Sequence, residues 1–581
     1  MNAAFMTAVA AAVLGGGGPP AAPRGGVVES EGTIVLSDGT ELAHTLLHPD
    51  GEGPWPVLLT RTCYGRRLGA DEARPFVEHG LALVIQDVRG TGKSKGEWTP
   101  FLNEPQDGAQ TFDWIVAQPW CNGKVGTRGA SYLGITQWQL APHAGGRLAA
   151  MAAHFSSADV PRDVVHFGGV QGLAIPLAWS EATSGNRAAP RFKALPLIDA
   201  DDASGKDLAV WNDWCRHPIL DDYWKELDFA PRYADVKAPL FLVAGWYDLL
   251  LPGQINDYVR LSKRAGPPEQ SFARLVVGPW DHGGFKELPG RPDLGPDAWR
   301  SPLDEERAFL AHFLLGEQNG FEAKAGVRAF FLGENRWREL DGWPPKSARA
   351  TDLFLRSLGG AGEKPGNGTL IESRAPVRAE PADSFTYDPS DPCPSYATSL
   401  WTPLSTLADQ AEIARRTDVL VYRTPPLPAD VSVAGPITLE LWITSDAPDT
   451  DFAAKLVDVA PDGANGPDGP DGTGESSGAV EWRGEGIQRA RVRDGVREER
   501  LLEPGVPTRL VVRMGHVAAT FLAGHRIGLH VTSSNFPRFS RNLNTAERSN
   551  VAAEPRVAHQ QVLHDPDHPS RLILWTLPSG E

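Results

Sequence analysis

A serine placed among glycines is the first candidate for chemistry. The segment Lys124–Gly134 reads KVGTRGASYLG, in which Ser131 follows a β-type run and precedes an apolar stretch. This layout is typical of a nucleophile elbow, a tight strand-to-helix turn that lifts a serine hydroxyl clear of a sheet. The spacing differs from the usual G-x-S-x-G pattern, because Leu133 stands where the second glycine is expected. An ordinary turn therefore stays the alternative at this point.

Two predicted strands end near residues that could activate this hydroxyl. The run Pro239–Gly245 leads to Asp248, and the run Ala273–Gly278 leads to His282. A serine becomes a good nucleophile when a histidine takes its proton and a carboxylate fixes the histidine tautomer. Singly, Asp248 could be a solvated loop acid and His282 a capping or core histidine. Their joint placement, in the order Ser…Asp…His of α/β-hydrolases, favours a triad with Ser131.

Two tyrosines are candidates for an oxyanion hole. Acyl transfer needs hydrogen-bond donors for the negative charge that develops on the substrate oxygen. The backbone N–H of Tyr132, directly after the serine, is the expected first donor. The loop after Trp55–Thr60 has no glycine pair to supply the second, so the phenolic O–H of Tyr64 is the candidate, with a packing tyrosine as the alternative. Asp281, beside His282, would point elsewhere in its turn and is not assigned as the orienting acid.

The strands that would carry these residues alternate with helices. Short apolar runs at Trp55–Thr60 and Leu81–Asp87 indicate strands buried on both faces. Apolar residues at helical spacing in Asp107–Ala117 precede the strand that enters Ser131. This order indicates a parallel α/β sheet, in which active sites form beyond the carboxyl ends of the strands. Before it, Thr33–His48 predicts an antiparallel hairpin.

Two further regions differ in character from this sheet. Residues 155–235 lack β-type runs, which predicts a helical cap inserted into a catalytic α/β domain at 26–154 and 236–320. From residue 325 to 581, short alternating or apolar runs lie between Gly/Pro turns, and Val327–Leu332 is the first of them. Many short strands without intervening helices indicate a sandwich or a jelly roll.

Composition excludes several classes of function. The chain has 581 residues and a net charge of −17 at pH 7, which argues against nucleic acid as a partner because phosphate binding needs a basic face. The four cysteines lie far apart without metal-type spacing, so we expect free thiols, no metal and no cofactor. We expect no membrane span, because no apolar run reaches the roughly 20 residues needed to cross a bilayer.

The first 25 residues are assigned to a leader or signal segment. Residues 5–14 form an apolar run of signal-peptide length, but no positively charged region precedes it. The compartment therefore stays open between the cytoplasm and export.

Three other features receive no chemical role. Cys63 has no neighbouring base in sequence that would lower the pKa of its thiol. The run Arg489–Arg500 alternates arginines with acids, which predicts a solvated face. The Gly-, Asp- and Pro-rich segment 461–478 lacks the period of a calcium loop and is interpreted as a surface insertion.

Eight short motifs extend from about residue 60 to residue 540: RTCY at Arg61–Tyr64, DVRG at Asp87–Gly90, QPWCNGKVG at Gln118–Gly126, SYLG at Ser131–Gly134, GWYD at Gly245–Asp248, GPWDH at Gly278–His282, APDTDF at Ala447–Phe452 and SSNFPRF at Ser533–Phe539. With these motifs the chain resembles the cocaine esterase family of serine hydrolases. That family also includes X-prolyl dipeptidyl peptidases (S15-type), α-amino-acid ester hydrolases and glutaryl-cephalosporin acylases. G-x-S-Y-x-G is the family's own form of the elbow, which accounts for Leu133.

The resemblance implies both a fold and a set of roles. The fold is α/β, an α/β-hydrolase domain with a helical cap insertion, followed by an all-β jelly-roll domain packed against it. Ser131 would be the nucleophile, His282 the general base and Asp248 its partner. The O–H of Tyr64 and the N–H of Tyr132 would form the oxyanion hole.

The resemblance also suggests where an acyl group would bind. In cocaine esterase-like enzymes it lies between cap tryptophans and the loop after the acid, and Trp179 and Leu250 occupy the matching positions here. Dipeptidyl peptidases and amino-ester hydrolases need acids that hold the substrate ammonium. Cap acids such as Glu181 and Asp201 are present but do not match that cluster.

The predicted reaction is cleavage of a small carboxylic ester or acyl amide through an acyl-enzyme. An X-prolyl dipeptidyl peptidase or an α-amino-acid ester hydrolase is the alternative within the class. A non-catalytic protein whose jelly roll binds a glycan or a partner chain is the alternative from another class, and the complete Ser, Asp and His set argues against it. The expected partner is a small-molecule substrate, and self-association into a homo-oligomer stays open.

Overall fold

The computed structural model of the protein describes most of the chain. The described residues are 26–185, 190–204, 207–287, 294–363, 367–372, 380–395, 409–461 and 479–579. The leader predicted at residues 1–25 lies outside them, as does nearly all of the insertion predicted at 461–478. None of the described helices is both long and apolar enough to cross a membrane.

Ten strands of the described chain form a first sheet, in the order β1-β2-β4-β3-β5-β6-β9-β10-β11-β12. The short strands β7 and β8 form a separate hairpin between β6 and β9. The bounds are β1 Val27–Val35, β2 Glu41–Pro49, β3 Trp55–Thr62, β4 Ala82–Asp87, β5 Cys121–Ala130, β6 Leu148–His154, β7 His166–Phe167, β8 Val170–Gln171, β9 Leu240–Tyr247, β10 Ala273–Asp281, β11 Gly326–Phe331 and β12 Arg336–Leu340.

The centre of this sheet is parallel, as the alternating strands and helices predict. Neighbouring strands from β4 to β11 pair in parallel. Strand β9 is buried along its whole length, which explains its continuous apolar run. Strands β1 and β2 pair antiparallel, which confirms the hairpin predicted at Thr33–His48. The carboxyl ends of β5, β9 and β10 therefore lie at one edge of the sheet.

Helices cover this sheet and follow the predicted positions. The stretch predicted as helical at Asp107–Ala117 matches the helix Glu104–Val116, whose C-cap is Ala117. The longer helices packed around the sheet are Ala70–Glu78, Glu104–Val116, Tyr132–Leu140, Leu251–Leu261 and Leu303–Leu310. Short helical turns lie at Arg66–Gly69, Ala141–Ala144, Pro268–Ser271, Ala311–Leu315 and Phe321–Lys324.

The region between β6 and β9 is mostly helical, as predicted for a cap. Its elements are Pro161–Val165, Ala174–Thr183, Leu197–Ser204, Ala209–Arg216, Asp222–Trp224 and Ala230–Asp235. The β7–β8 hairpin was not predicted, because strands of two residues are too short to leave a periodic pattern. Cap tryptophans such as Trp211, Trp214 and Trp224 are buried in a second cluster, which also includes Tyr132 and Leu133 of the catalytic domain.

Eleven further strands of the described chain form a second sheet, in the order β15-β22-β17-β23-β13-β14-β16-β21-β18-β19, with β20 paired to β17. Their bounds are β13 Arg349–Arg356, β14 Gly368–Ile371, β15 Asp383–Tyr387, β16 Leu420–Arg423, β17 Val431–Ser445, β18 Asp451–Val459, β19 Val480–Arg489, β20 Thr508–Phe521, β21 Arg526–Thr532, β22 Ala558–Leu563 and β23 Arg571–Thr576. Two short helices, Ala411–Ala414 and Ala490–Val492, accompany them.

One strand belongs to a different sheet from the one expected. The sequence pattern predicts that the run Val327–Leu332 belongs to the all-β part, but β11 pairs in parallel with β10 and extends the first sheet. Strand β12 then closes that sheet as an antiparallel edge. A short apolar run shows that a strand is buried and does not show which sheet it joins.

The two sheets share a continuous core. Its largest cluster of buried residues runs from the first sheet into the second, for example from Leu242 to Leu439 and Val512. The indole of Trp343 contacts the ring of His516 from β20, and that ring contacts Asn256 of the helix Leu251–Leu261. This helix follows Asp248, so the second sheet helps to hold the loop that carries the acid.

The arginine run Arg489–Arg500 was predicted to be a solvated face, and this is wrong for its first members. Arg489 and Arg491 are buried and pair with Asp451 and Asp449 at 2.9 and 2.7 Å. Only the later part fits the prediction, since Arg500 is exposed beside Asp494. Charge alternation within the run does not show these pairs, because the matching acids lie on β18 and the turn before it, about 40 residues away.

Candidate active site

Ser131 lies at a strained turn between β5 and the helix Tyr132–Leu140. Its backbone has φ 57° and ψ −127°, a conformation that a residue other than glycine rarely adopts. The N–H of Ser131 donates to the carbonyl of His154 at 3.0 Å, which ties the turn to the end of β6. The turn has the strand–serine–helix geometry of a nucleophile elbow.

Two glycines make room for this turn. A Cβ on Gly129, whose φ is +142°, would lie 2.6 Å from the Cβ of Leu133. A Cβ on Gly134 would lie 2.5 Å from the Cβ of Ser156. The helix comes close to the loop after β6 at position 134, which is one residue beyond the second glycine of the usual G-x-S-x-G pattern. The second glycine therefore stands at 134, after Leu133.

The imidazole of His282 joins the serine to an acid. Its Nε2 atom lies 2.8 Å from Oγ of Ser131, and its Nδ1 atom lies 2.5 Å from Oδ2 of Asp248. An ionised carboxylate can only accept, so Nδ1 carries the hydrogen and, in the neutral ring, Nε2 is left to accept from the serine hydroxyl. The other oxygen of Asp248 accepts from the N–H of Leu250 at 2.6 Å, which holds the carboxylate in place.

The surroundings of His282 shift its pKa upward. Burial by itself would lower the pKa of this imidazole, but the charge and the hydrogen bond of Asp248 outweigh burial. Asp281 adds a smaller effect in the same direction. The pKa of His282 is therefore raised from its ordinary value of 6.5, as expected for a ring held by a buried carboxylate.

Asp281 faces away from the ring despite its position next to His282. Its Oδ1 atom accepts from the N–H of Gly283 at 2.7 Å. Burial raises the pKa of this carboxyl to about 6. The structure thus brings Asp248, and not Asp281, to the imidazole.

Tyr64 lies in the loop after β3, and its phenol is hydrogen-bonded to a residue of the cap. The indole Nε1–H of Trp179 donates to its oxygen at 3.0 Å. Tyr64 lines the same pocket as Ser131 and His282. Burial raises the pKa of Tyr64 well above its ordinary value, so the phenol keeps its hydrogen at neutral pH.

Tyr132 is the first residue of its helix, so its backbone N–H has no partner within the helix. Its side chain is anchored separately: the phenol donates to Glu104 at 2.7 Å. Glu104 is buried and pairs with Arg61, at the end of β3, at 2.5 Å. The pair Arg61–Glu104 therefore connects the strand before Tyr64 with the residue after Ser131.

A narrow apolar pocket opens beside Ser131. Trp179 and Leu250, the two residues predicted to contact substrate, both line it. Its other walls are apolar or aromatic: Phe101, Ile135, Val164, Ile175, Pro176, Trp214 and Leu249. No described residue that lines this pocket is an Asp, Glu, Lys or Arg. Its surface therefore suits an uncharged, apolar group.

Several residues of the site were missed from the sequence. Glu104 and Trp98 contact the phenol of Tyr132, and Phe101 and Trp214 line the pocket. Phe101 has a φ of 70°, which its sequence neighbours do not signal. No local pattern marks these residues, because each reaches the site from a different loop or cap helix.

The structure also shows the state of the four cysteines. All four cysteines are free, as predicted. Cys63 has its pKa raised by burial, which leaves its thiol protonated and unsuited to nucleophilic attack.

Comparison with known proteins places this site within a family. Residues 38–284 match the sequence profile of the X-Pro dipeptidyl-peptidase (S15 family). Residues 319–573 match the profile of the X-Pro dipeptidyl-peptidase C-terminal non-catalytic domain. The first match spans Ser131, Asp248 and His282.

One curated relative and two solved structures extend over nearly the whole chain. The cocaine esterase of Rhodococcus sp. (strain MB1 Bresler) is 33% identical over 94% of this chain and 98% of its own. An α-amino acid ester hydrolase labelled with selenomethionine has a TM-score of 0.80 at 23% identity, covering 96% of this chain and 98% of its own. An aminopeptidase from a marine sediment Thaumarchaeota archaeon has a TM-score of 0.78 at 24% identity, covering 97% and 98%.

The two structures share the fold, and the esterase shares enough sequence to establish kinship. The predicted fold class, an α/β-hydrolase-type domain followed by a β-rich C-terminal domain, is confirmed. The chain is a serine hydrolase and belongs to the cocaine esterase-like, S15-type family of α/β-hydrolases.

Proposed function

We propose that this protein hydrolyses small carboxylic esters or acyl amides through an acyl-enzyme on Ser131. The observation that carries the proposal is the hydrogen-bonded series Ser131–His282–Asp248, with distances of 2.8 and 2.5 Å, at the floor of an apolar pocket. A serine, a base and an orienting acid in this arrangement are the parts that acyl transfer needs.

In the first half of the reaction, Oγ of Ser131 attacks the substrate carbonyl carbon. Its proton passes to Nε2 of His282, whose ring then carries a positive charge. Asp248 stabilises that charge through Nδ1–H and keeps the ring in the productive tautomer. The N–H of Leu250 in turn holds the carboxylate of Asp248.

The developing oxyanion is stabilised by two donors. One is the N–H of Tyr132, which has no partner in its helix, and the other is the O–H of Tyr64. The raised pKa of Tyr64 supports this role, because a phenol must keep its hydrogen to donate it. The imidazolium of His282 then protonates the leaving alcohol or amine, and the tetrahedral intermediate collapses to an ester on Ser131.

In the second half, a water molecule takes the place of the leaving group. His282 accepts its proton while the water oxygen attacks the acyl carbon. The same two donors stabilise the second oxyanion. Collapse releases the carboxylic acid, returns the proton to Oγ of Ser131 and restores the free enzyme.

The pocket favours an ester with an uncharged acyl group over an aminoacyl substrate. An aminopeptidase or amino-ester hydrolase must hold an ammonium group, which needs a nearby anion. The described lining residues include none, whereas aromatic rings such as Trp179, Trp214 and Phe101 offer apolar contact. The relative named cocaine esterase acts on an ester, and the proposal extends that reaction class to this chain.

Two assays test the proposal. A fluorophosphonate probe should label the wild-type protein and fail to label Ser131→Ala; labelling that persists in the variant would remove Ser131 as the nucleophile. The wild-type protein should hydrolyse p-nitrophenyl butyrate and leave Ala-Pro-p-nitroanilide nearly untouched. The reverse preference would replace the esterase proposal with a dipeptidyl-peptidase.

A further inference from the structure

We infer that Trp179 is a positioning residue for the oxyanion hole, in addition to being a wall of the pocket. Its indole N–H orients the hydroxyl of Tyr64, so that the cap completes a donor site otherwise built by the catalytic domain. This inference rests on the proposed function, since it concerns how Tyr64 performs its part in that reaction.

The contact joins two separate units of the fold. Trp179 lies in the cap helix Ala174–Thr183, and Tyr64 lies in the loop after β3, 115 residues away along the chain. The indole nitrogen is 3.0 Å from the phenolic oxygen. An indole N–H can only donate, so the oxygen of Tyr64 must accept in this bond.

That bond determines what Tyr64 can do with its own hydrogen. With one lone pair of its oxygen occupied by the indole N–H, its own O–H is left to point elsewhere, and Tyr64 lines the same pocket as Ser131. Attack by Ser131 would form the oxyanion in this pocket, where the O–H of Tyr64 can turn to it. The hydrogen bond that the phenol of Tyr64 accepts from Trp179 also polarises the phenol, and this makes its own O–H a stronger donor.

Aromatic packing holds the indole in the plane that this bond requires. The ring of Trp179 stacks on Phe101 at 5.7 Å, on Tyr132 at 6.0 Å and on Trp214 at 6.4 Å, with interplanar angles of 16°, 21° and 12°. Packing against these three rings leaves little freedom for the indole to rotate. The N–H of Trp179 is therefore preoriented before substrate binds.

This arrangement predicts a particular kinetic effect. A donor that is better oriented stabilises the oxyanion, which exists only during reaction, so loss of the indole N–H lowers kcat more than it raises KM. Loss of ring contact with the acyl group would mainly raise KM. The two roles of Trp179 are therefore separable by measurement.

The variant Trp179→Phe keeps a ring and removes the N–H. Its matched control is Trp211→Phe, which removes the N–H of a cap tryptophan that donates to the carbonyl of Leu197 and is not among the described residues that line the pocket. With p-nitrophenyl acetate, whose acyl group is too small to depend on the stacked rings, we expect kcat of Trp179→Phe to fall by about tenfold, the typical worth of one hydrogen bond. Trp211→Phe should stay within about twofold. Titration of active sites with a fluorophosphonate corrects kcat for any misfolded fraction.

A double-mutant cycle with Tyr64→Phe decides whether Trp179 acts through Tyr64. Tyr64→Phe should lower kcat by about 10²–10³, as for other single oxyanion donors. In that background, adding Trp179→Phe should cost almost nothing further. Losses that multiply independently in the double variant, or equal losses in Trp179→Phe and Trp211→Phe, would overturn the inference and leave the proposed function intact. A Tyr64→Phe variant with wild-type kcat would overturn both the inference and the proposed oxyanion hole.

Discussion

The carboxylate of Asp248 lies 2.5 Å from Nδ1 of His282, although an acid directly adjacent to that histidine was available. Asp281 is occupied by the N–H of Gly283 instead. The strand ends explain this choice. Asp248 follows β9 and meets the imidazole, whereas Asp281 is the last residue of β10 and its carboxylate accepts from the backbone N–H of Gly283 in the turn that follows.

The two acids should therefore differ sharply when each is replaced by its amide. We expect Asp248→Asn to lower kcat by about 10⁴, because an amide no longer fixes the tautomer of His282. Asp281→Asn should keep kcat within about tenfold, since its partner is a backbone N–H that an amide oxygen can still bind. Steady-state kinetics with p-nitrophenyl butyrate checks both variants. A larger loss in Asp281→Asn would show that the orienting acid had been misassigned.

The raised pKa of His282 predicts the acid limb of the pH profile. Only the neutral imidazole accepts the proton of Ser131, so kcat/KM should fall tenfold per pH unit below the pKa of His282, which lies above 6.5. Asp281→Asn removes one of the negative charges that raise this pKa, so its limb should move to slightly lower pH. The pH dependence of kcat/KM in both proteins tests this. A limb centred below pH 6.5 in the wild-type protein would contradict the electrostatic account.

Gly134 stands one residue beyond the second glycine of the usual elbow pattern, and the position should accept no larger residue without a loss of stability. In Gly134→Ala the new methyl group would lie 2.5 Å from the Cβ of Ser156, so the helix after Ser131 must shift. We expect a loss of about 1–3 kcal/mol in the free energy of unfolding and slower fluorophosphonate labelling. Gly342→Ala is the control, because nothing lies within 4 Å of its added Cβ and the change should stay within about 0.5 kcal/mol. Equal behaviour of the two variants would show that Gly134 is not sterically required.

Two arginines of one run should differ in their contribution to stability. Arg489→Ala leaves Asp451 buried without its guanidinium, and we expect a loss of about 3–5 kcal/mol in unfolding free energy. Arg500→Ala removes an exposed pair with Asp494, for which a change of no more than about 1 kcal/mol is expected. Chemical denaturation of both variants measures the difference. A small effect of Arg489→Ala would mean that water enters and solvates Asp451.

The elbow and the strand ends were predictable because their signals are local. A glycine-flanked serine after a β-type run, and apolar runs that stop just before Asp248 and His282, carry their meaning within about ten residues. The rule that parallel strands present their carboxyl ends at one edge then brings the three side chains together. The sheet assignment of β11 was not predictable in this way, since a buried strand has the same pattern in either sheet.

Long-range contacts lay beyond such reasoning. Residue types and spacing sufficed to name a hydrolase fold, a candidate nucleophile and its two partners. Packing of the cap against the first sheet decided that Trp179 meets Tyr64, and packing of the helix Glu104–Val116 decided that Glu104 meets Tyr132. The second sheet likewise paired Arg489 with Asp451. Each of these contacts joins distant parts of the chain, and its hydrogen bond depends on ångström-scale placement that only the folded core provides.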